Sequence, residues 1–245
     1  MAATGPGMVL CYHSLDRSDS VISVAPEVFQ WQMQCLAVSG RPVVPLAKVA
    51  EIPGSVAITF DDGFRNFFQS ALPILREHAF PATVFVVTGH CGGHNNWSSQ
   101  PPGVPTFDLM DWDEIGEAAR CGITLGAHTV THPKLTGLAA PEVLKEMRGS
   151  RDEIENRLNQ TVETFAYPYG DHNAKVRQTA QSCFRVSCGT SLDFMRPHHS
   201  LDNLARLDVF YLRDPAVFQK VVVGKGERYI FARRSLRKLR RWMVH

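Results

Sequence analysis

Short apolar runs alternate with amphipathic segments along most of the 245-residue chain. The apolar runs have the length of buried strands, and we predict strands over residues 8–12, 56–60, 83–87, 123–127 and 185–188. Between them, apolar positions recur with the spacing of helices, and we predict helices over residues 26–38, 64–75, 111–120, 141–158 and 173–182. Repeated alternation of strand and helix favours a parallel sheet that is closed or wound as one domain.

Two features interrupt this alternation. Pro73 lies inside the apolar pattern of residues 64–75, so we expect a kink or a break in that helix. Residues 89–105 form a loop rich in Gly, Asn and Pro. A loop of this length is more often functional than a simple connection.

The composition is that of a globular protein. The chain is 44% hydrophobic, which is enough for the core of a single domain of this length. No stretch approaches the roughly 20 apolar residues of a membrane span, and the first residues lack the basic and apolar regions of a secretory signal. Six scattered cysteines without a CxxC pair suit a reducing compartment. Together these features predict a cytoplasmic protein.

The net charge of +2 conceals an asymmetry. From Lys225 onward there are eight Lys or Arg residues and one Glu, a balance of +7, whereas the remaining 18 basic and 23 acidic residues give −5. This segment, residues 225–245, has an apolar stripe at helical spacing, formed by Ala232, Leu236, Leu239 and Met243. The opposite face is basic and consists of Arg233, Arg234, Arg237, Lys238, Arg240 and Arg241.

Two interpretations of this basic amphipathic helix stay open. It is typical of helices that lie on an anionic membrane surface, which would place a cytoplasmic protein at the inner face of the membrane. Alternatively, it is a final helix that packs its apolar stripe on the body of the protein and leaves its charges in solvent. Nucleic acid is not favoured as a partner, because the acidic body would repel phosphates and no recognised binding motif accompanies the tail.

Polar side chains follow two of the predicted strands. Asp61 and Asp62 come directly after the strand at 56–60, and His128 and His132 follow the strand at 123–127. Buried charges are expensive unless they are paired or bound to metal, and the ends of strands in α/β proteins are where sites are built. We therefore predict a metal site and, beside it, one carboxylate that does not bind the metal.

The roles of the two aspartates follow from the chemistry of catalytic metal sites. Asp62, His128 and His132 would supply three protein ligands and leave a position for water. The metal lowers the pKa of that water, but a proton must still leave as the water attacks. Asp61 lies on the other side of the extended backbone and could accept this proton, which favours a hydrolase.

The spacing of the two histidines resembles that of zinc proteases but differs in detail. The protease pattern is helical and needs a Glu after the first His. Here Thr129, Val130 and Thr131 separate the histidines and Pro133 follows them. This composition predicts an irregular turn at the end of a strand, so a protease is not favoured.

Three ordered motifs resemble those of the polysaccharide deacetylase family. They are Thr59-Phe60-Asp61-Asp62-Gly63, His128-Thr129-Val130-Thr131-His132-Pro133 and Tyr167-Pro168-Tyr169-Gly170. The resemblance extends from about residue 9 to residue 209. It includes Tyr12-His13, the segments at 72–75 and 81–86, and Leu204-Ala205-Arg206-Leu207. Several motifs in the family's order make this a specific match.

The resemblance implies a fold and an activity. The fold would be a single-domain deformed (β/α) barrel over residues 8–224, followed by the basic helix at 225–245. The activity would be hydrolysis of the N-acetyl group of an amino sugar, in a poly- or oligosaccharide or in a lipid-linked glycan precursor. The cofactor would be a divalent metal, zinc in the first place, with cobalt, nickel or another first-row metal as alternatives.

The resemblance also implies roles for individual residues. Asp62, His128 and His132 would hold the metal, and Asp61 would be the general base. Pro168 and Tyr169 would line the substrate groove, where a backbone N–H would help to stabilise the oxyanion.

Two departures from the family pattern affect these roles. Many members carry an Arg two residues before the motif proline, where it holds the base carboxylate, but this chain has Ala166 there. Arg206 could supply the missing charge, or it could form an ordinary surface salt bridge.

The general acid is the second departure. The family's late Leu-x-x-x-x-His segment, which supplies this residue, is not evident. His13, His198 and His199 are the candidates to protonate the leaving amine, and His13 is favoured because it follows a strand, as the proposed metal ligands do.

Two other functions are compatible with the same barrel. An O-acetyl esterase or a deformylase would keep the site and change the substrate. A catalytically silent carbohydrate-binding protein would keep only the fold, and the two departures are its support.

Overall fold

The computed structural model describes residues 5–196 and 199–243, and in the last helix it describes the side chains of residues 227–237 and 239. Its main sheet has seven strands in the order β8-β7-β6-β5-β4-β1-β9, and each neighbouring pair is parallel. These strands are β1 (Met8–Tyr12), β4 (Val56–Phe60), β5 (Thr83–Val86), β6 (Thr124–Ala127), β7 (Thr164–Ala166), β8 (Val186–Cys188) and β9 (Leu207–Asp208). Two short strands, β2 (Ser14–Leu15) and β3 (Ser23–Val24), pair separately.

In the described part of the chain, five helices lie between strands in sequence, and two more follow the last strand. They are α1 (Pro26–Ser39), α2 (Leu72–Glu77), α3 (Trp112–Arg120), α4 (Ala140–Leu158), α5 (Ala174–Cys183), α6 (Pro215–Val222) and α7 (Glu227–Met243). Within the described residues, no helix combines the length and the apolar character that crossing a bilayer requires. The curled parallel sheet with its helices is a half-barrel, which confirms the predicted deformed (β/α) barrel.

The sheet is buried on both faces, as the continuous apolar runs of its strands predict. All residues of β1 and β4 are buried, and the two strands pair in register from Met8↔Val56 to Tyr12↔Phe60. On the helix side, the rings of Tyr12 and Phe60 stack with centroids 5.1 Å apart. A second, separate core cluster contains Val9, Ala57 and Phe85. This packing fixes the ends of the strands, where the polar motifs begin.

The five predicted strands and four of the five predicted helices are confirmed within one or two residues. The exception is the segment at 64–75, where a kink or break was expected at Pro73. The structure has a π-helical turn at Phe67–Ala71, and α2 begins at Leu72 with Pro73 in its first turn. The Leu72 N–H donates to the Phe67 carbonyl, so the helical backbone continues from the π-helical turn into α2. The irregularity lies in this turn, directly before Pro73, which has no N–H to extend the hydrogen-bond pattern.

Helix α7 packs on the barrel through one side. Ile230 is buried, the Tyr229 hydroxyl donates to the Tyr211 carbonyl at 2.7 Å, and Arg234 forms an ion pair with Asp193. The division into a barrel at 8–224 and a separate helix at 225–245 stays a prediction.

Candidate functional site

The predicted site residues follow three strands of the main sheet, β4, β6 and β7, with β5 between the first two. Asp61 and Asp62 follow β4, His128 follows β6, and Pro168 lies two residues beyond β7. Because β4, β6 and β7 run parallel in one sheet, their carboxyl ends lie at the same edge. The motifs therefore converge although about 100 residues of sequence separate the first from the last.

A tight turn makes the two adjacent aspartates different. Asp62 has φ 72° and Gly63 has φ 77°, so the chain turns through left-handed conformations directly after Asp61. Asp can adopt this conformation at modest cost, whereas Gly has no Cβ to oppose it. The carboxylate of Asp62 consequently faces the histidines, and that of Asp61 has other partners.

Asp62, His128 and His132 form a compact buried group. One Asp62 oxygen, Oδ1, lies 3.4 Å from the Nε2 atom of each histidine, and the two Nε2 atoms lie 3.2 Å apart. Burial opposes ionisation of Asp62, but the two histidines beside its carboxylate hold its pKa well below the ordinary value. Burial lowers the pKa of His132 and favours its neutral form. An ionised carboxylate and a neutral imidazole are the ligand forms that bind metal.

The tautomer of His128 also suits metal binding. Its Nδ1 lies 2.7 Å from the Ala166 carbonyl oxygen, which can only accept, so Nδ1 carries the proton. The lone pair of Nε2 therefore faces Asp62 and His132, in the arrangement of a ligating histidine held by a backbone carbonyl. The three donor atoms lie within 4.8 Å of one another, and this donor set fits a divalent cation such as zinc.

Glu146, which the sequence analysis missed, holds the turn that carries the histidines. Its Oε2 accepts from the backbone N–H groups of Val130 and Thr131 at 2.8 and 2.9 Å, and its Oε1 accepts from the Thr131 hydroxyl at 2.8 Å. Thr129 and His132 have φ 67° and 56°, conformations that need such support. In the sequence, Glu146 is indicated by its place in α4 directly before Met147, which is buried.

Replacing Glu146 by Ala is expected to weaken metal binding about 10–100-fold, the usual effect of losing a group that orients a ligand. The turn would lose three hydrogen bonds, and His132 would no longer be held beside His128. Titration calorimetry with zinc measures the change, and Lys145→Ala on the same helix is the matched control. Equal affinities for the two variants would show that the turn needs no support from Glu146.

Asp61 is paired with Arg206. Nη1 and Nη2 of Arg206 each lie 2.6 Å from one oxygen of Asp61, in bidentate geometry. Only 1% of Arg206 is exposed, so the alternative of a surface salt bridge is wrong. Burial opposes the charge of Asp61, but Arg206 outweighs it and lowers the pKa of the carboxylate. Arg206 thus lies where it can hold the base carboxylate, the role that an arginine at the position of Ala166 has in many family members.

Of the three histidines considered as general acid, the structure brings one to this site. His13 Nε2 lies 3.8 Å from Asp61 Oδ2, with 24% of its side chain exposed, and His13 lines the same cavity as Asp62. His199 lines a different cavity together with Gly5 and Gly7, at the amino end of β1. His198 lies outside the described residues.

The third motif and the long loop form the wall beside His132. Tyr169 has φ 59°, its ring centroid lies 4.6 Å from that of His132, and its hydroxyl donates to the Ser99 carbonyl at 3.0 Å. Trp97 is 4% exposed and its ring lies 4.2 Å from His132. The loop at 89–105 therefore contributes to the site, although its sequence did not identify Trp97.

A second group of side chains could also hold a cation, namely Cys11, His13 and Asp61. Burial raises the pKa of the Cys11 thiol well above its ordinary value, so the thiolate that binds metal is disfavoured. Asp61 is already engaged by Arg206. Of the two groups found among the described residues, the one containing Asp62 is the better metal site.

Comparison with protein families gives an independent result. Residues 48–184 match the family model described as polysaccharide deacetylase. A Bacillus subtilis (strain 168) protein named as a polysaccharide deacetylase, YxkH, is 26% identical over 181 residues, which cover 71% of this chain and 60% of that protein. A poly-β-1,6-N-acetyl-D-glucosamine N-deacetylase of Staphylococcus aureus is 28% identical over 125 residues, which cover 47% of this chain and 40% of that protein. The chain thus spans less than two thirds of these relatives.

Solved structures resemble the whole fold. The structure of IcaB from Ammonifex degensii has a TM-score of 0.75 at 22% identity and covers 91% of this chain and 98% of its own. The Streptococcus pyogenes deacetylase PplD in complex with acetate has a TM-score of 0.72 at 24% identity, with 83% and 92% covered. At this identity the likeness establishes the fold.

Proposed function

The chain belongs to the polysaccharide deacetylase family, and from this premise we propose that it removes the N-acetyl group of an amino sugar in a poly- or oligosaccharide or a lipid-linked glycan precursor. The observation that carries the proposal is the convergence of Asp62, His128 and His132 beside a separate carboxylate, Asp61. A polymer of N-acetylglucosamine is the favoured substrate, since the Staphylococcus aureus relative is named for that activity.

The proposed reaction divides the work between the two aspartates. A divalent cation held by Asp62, His128 and His132 would activate a water molecule and polarise the acyl carbonyl. Asp61 would accept the proton that this water loses as it attacks. Its two hydrogen bonds to Arg206 keep the carboxylate ionised and prevent it from turning towards the histidines, so two neighbouring acids take different roles.

The remaining steps fall to groups on the other walls of the cavity. His13 would donate a proton to the amine as the C–N bond breaks, because it faces the same cavity as Asp61 and is partly open to solvent. The backbone N–H of Tyr169, beside Pro168, would stabilise the developing oxyanion. Such a donor typically contributes about 3 kcal/mol to lowering the barrier.

Acetate release distinguishes this proposal from the alternatives. We expect zinc-loaded protein to release acetate from an N-acetylglucosamine oligomer, and chelation to abolish the activity. Faster hydrolysis of an O-acetylated or N-formylated oligomer would favour the esterase or the deformylase instead. Binding of the oligomer without any hydrolysis, with zinc, cobalt or nickel present, would identify a silent carbohydrate-binding barrel.

We further propose that α7 attaches the protein to the inner face of the membrane. Leu236 and Leu239 of its apolar stripe are 52% and 51% exposed. The alternative in which this stripe packs on the barrel is therefore wrong for Leu236 and Leu239; the side chain of Met243 lies outside the described residues. The helix also contains seven Lys or Arg residues and one Glu, which suits an anionic lipid surface.

Replacing Leu236 and Leu239 by Glu is expected to reduce binding to phosphatidylglycerol vesicles by more than about tenfold. The change removes exposed apolar area and adds two negative charges, which the anionic lipid repels. For comparison, each basic residue near an anionic surface contributes about 1 kcal/mol to membrane binding. Co-sedimentation with vesicles measures the effect, and Val38→Glu on α1, at a position that is 73% exposed, is the control. Undiminished binding by the double variant would refute the attachment. These substitutions change only the apolar stripe, whereas a deletion of residues 226–245 would also remove the buried Ile230.

A further inference from the structure

The two histidines of the proposed metal site are held in different ways. Nδ1 of His128 lies 2.7 Å from the Ala166 carbonyl oxygen, so a hydrogen bond fixes the orientation of that ring. Nδ1 of His132 is buried and, among the described residues, has no hydrogen-bond partner. A ligating histidine is usually oriented by a group that accepts a hydrogen bond from its second ring nitrogen. A different interaction therefore has to direct the His132 ring towards Asp62.

Two aromatic rings pack on the His132 imidazole. The ring centroid of Trp97 lies 4.2 Å from that of His132, and the planes of the two rings are 32° apart. Tyr169 approaches the same imidazole at 4.6 Å with an angle of 75° between the planes. Packed ring pairs of this kind are stabilised beyond the area that they bury. Because the two neighbours meet the imidazole at different angles, they restrict its rotation.

Trp97 is itself held in place. It belongs to a small core cluster whose other buried members are Phe64, Val87 and Leu109. Phe64 comes two residues after Asp62, so the same cluster supports the turn that carries Asp62 and the ring that packs on His132. Two residues beyond Trp97, the Ser99 hydroxyl donates to the His132 carbonyl at 2.6 Å. The loop at 89–105 thus holds both the ring and the backbone of this histidine.

The surroundings of Trp97 leave little of its ring for a ligand. Trp97 lines the site cavity, where an exposed aromatic ring could stack on a sugar. However, only 4% of Trp97 is exposed, and its ring contacts the imidazole of His132. The ring of His90 also approaches it, at 5.6 Å and 90°. The packing therefore favours a role towards the histidine over a role towards the substrate.

We propose that Trp97 is a positioning residue of the metal site, whose ring holds the His132 imidazole with Nε2 directed at Asp62 and His128. Ring packing takes the place of the hydrogen bond that His132 lacks. This inference rests on the metal site of the proposed function but not on its substrate. The loop at 89–105 then helps to build the metal site and does more than border the cavity.

Three variants separate this role from a general contribution to folding. Trp97→Leu removes the ring and keeps an apolar side chain. Trp97→Phe keeps a ring beside His132 and should restore the packing. Leu109→Ala is the matched control, because Leu109 is buried in the same cluster. This substitution opens a cavity in the cluster and leaves the Trp97 ring in place.

Titration calorimetry with zinc measures the main effect. We expect Trp97→Leu to bind zinc about tenfold more weakly than the wild type, the lower end of what losing a group that orients a ligand costs. Trp97→Phe and Leu109→Ala should keep wild-type affinity. The visible absorption of bound Co²⁺ depends on its ligands, so its spectrum should change in Trp97→Leu alone. Chemical denaturation of the zinc-free proteins should show that Trp97→Leu and Leu109→Ala are both destabilised.

Two results in these titrations would overturn the inference. The first is an unchanged zinc affinity and cobalt spectrum in Trp97→Leu. The second is an equal loss of affinity in Trp97→Leu and Leu109→Ala, which would reflect the stability of the cluster and not the ring on His132. If Trp97→Leu bound zinc normally but lost binding of an N-acetylglucosamine oligomer, Trp97 would be a sugar-stacking residue, and the inference would be wrong as well.

Acetate release by the wild type, measured in parallel, reports on the proposed function separately. If zinc affinity depends on the Trp97 ring but no oligomer releases acetate, the positioning role is supported and the deacetylation proposal fails. If acetate is released and zinc affinity is the same in Trp97→Leu and the wild type, the deacetylation proposal stands and the positioning role is wrong.

Discussion

Asp61→Asn is expected to lower the rate of acetate release about 10²–10⁴-fold, the usual contribution of a general base. An amide cannot accept the proton that water loses during attack. The asparagine side chain has the same size, and its oxygen can still accept a hydrogen bond from Arg206. In the wild type, Arg206 pairs with both carboxylate oxygens of Asp61. Initial rates under saturating zinc measure the effect.

The control for this variant is the neighbouring aspartate. Asp62→Asn should lose zinc affinity together with activity, because Asp62 is the carboxylate that faces both histidines. Asp61→Asn should keep its zinc affinity. If Asp61→Asn retained full activity with bound zinc, Asp61 would not be the base and the division of roles between the two aspartates would be wrong.

Arg206→Met is expected to lower the free energy of unfolding by about 3–5 kcal/mol, the cost of breaking a buried ion pair by removing one partner. Asp61 would remain buried without its counter-charge. Chemical denaturation measures the loss. Arg185→Met is the control, since Arg185 pairs with Glu51 at 2.9 Å while both side chains are 46% exposed, and such a pair contributes at most about 1 kcal/mol.

The same variant should change the pH dependence of the reaction. In the wild type, burial opposes the charge of Asp61 but Arg206 prevails and lowers its pKa, so the base is ionised down to acidic pH. Without Arg206 the effect of burial remains, and the pKa of Asp61 rises. The acid limb of the pH–rate profile should therefore move to higher pH. An unchanged profile and unchanged stability would show that Arg206 does not hold the base.

Sequence patterns were most informative where strands end. The apolar runs ending at Phe60 and Ala127 predict that Asp61, Asp62 and His128 lie at the carboxyl edge of a parallel sheet. The turn between the histidines followed from its β-branched residues and from Pro133. Local composition was sufficient in these cases because the strand, the turn and the functional side chain are adjacent in sequence.

Such local patterns do not predict which side chains from distant segments form contacts. Arg206 reaches Asp61 across 145 residues. Only the family resemblance suggested this pair, because β9, which brings Arg206 to the site, has two residues, too few for a periodic signal. Helix α6 and the partners of Glu146 were missed as well. The amphipathic pattern of α7 predicted a helix, but the side that faces the barrel depended on contacts such as that between Tyr229 and Tyr211.

Anomalous diffraction at the zinc edge, from crystals soaked in zinc, tests the central claim most directly. We predict one strong peak about 2.0–2.2 Å from an oxygen of Asp62 and from Nε2 of both His128 and His132, with Asp61 still bound to Arg206. A peak beside Cys11, His13 and Asp61 instead, or no peak at Asp62, would contradict the account.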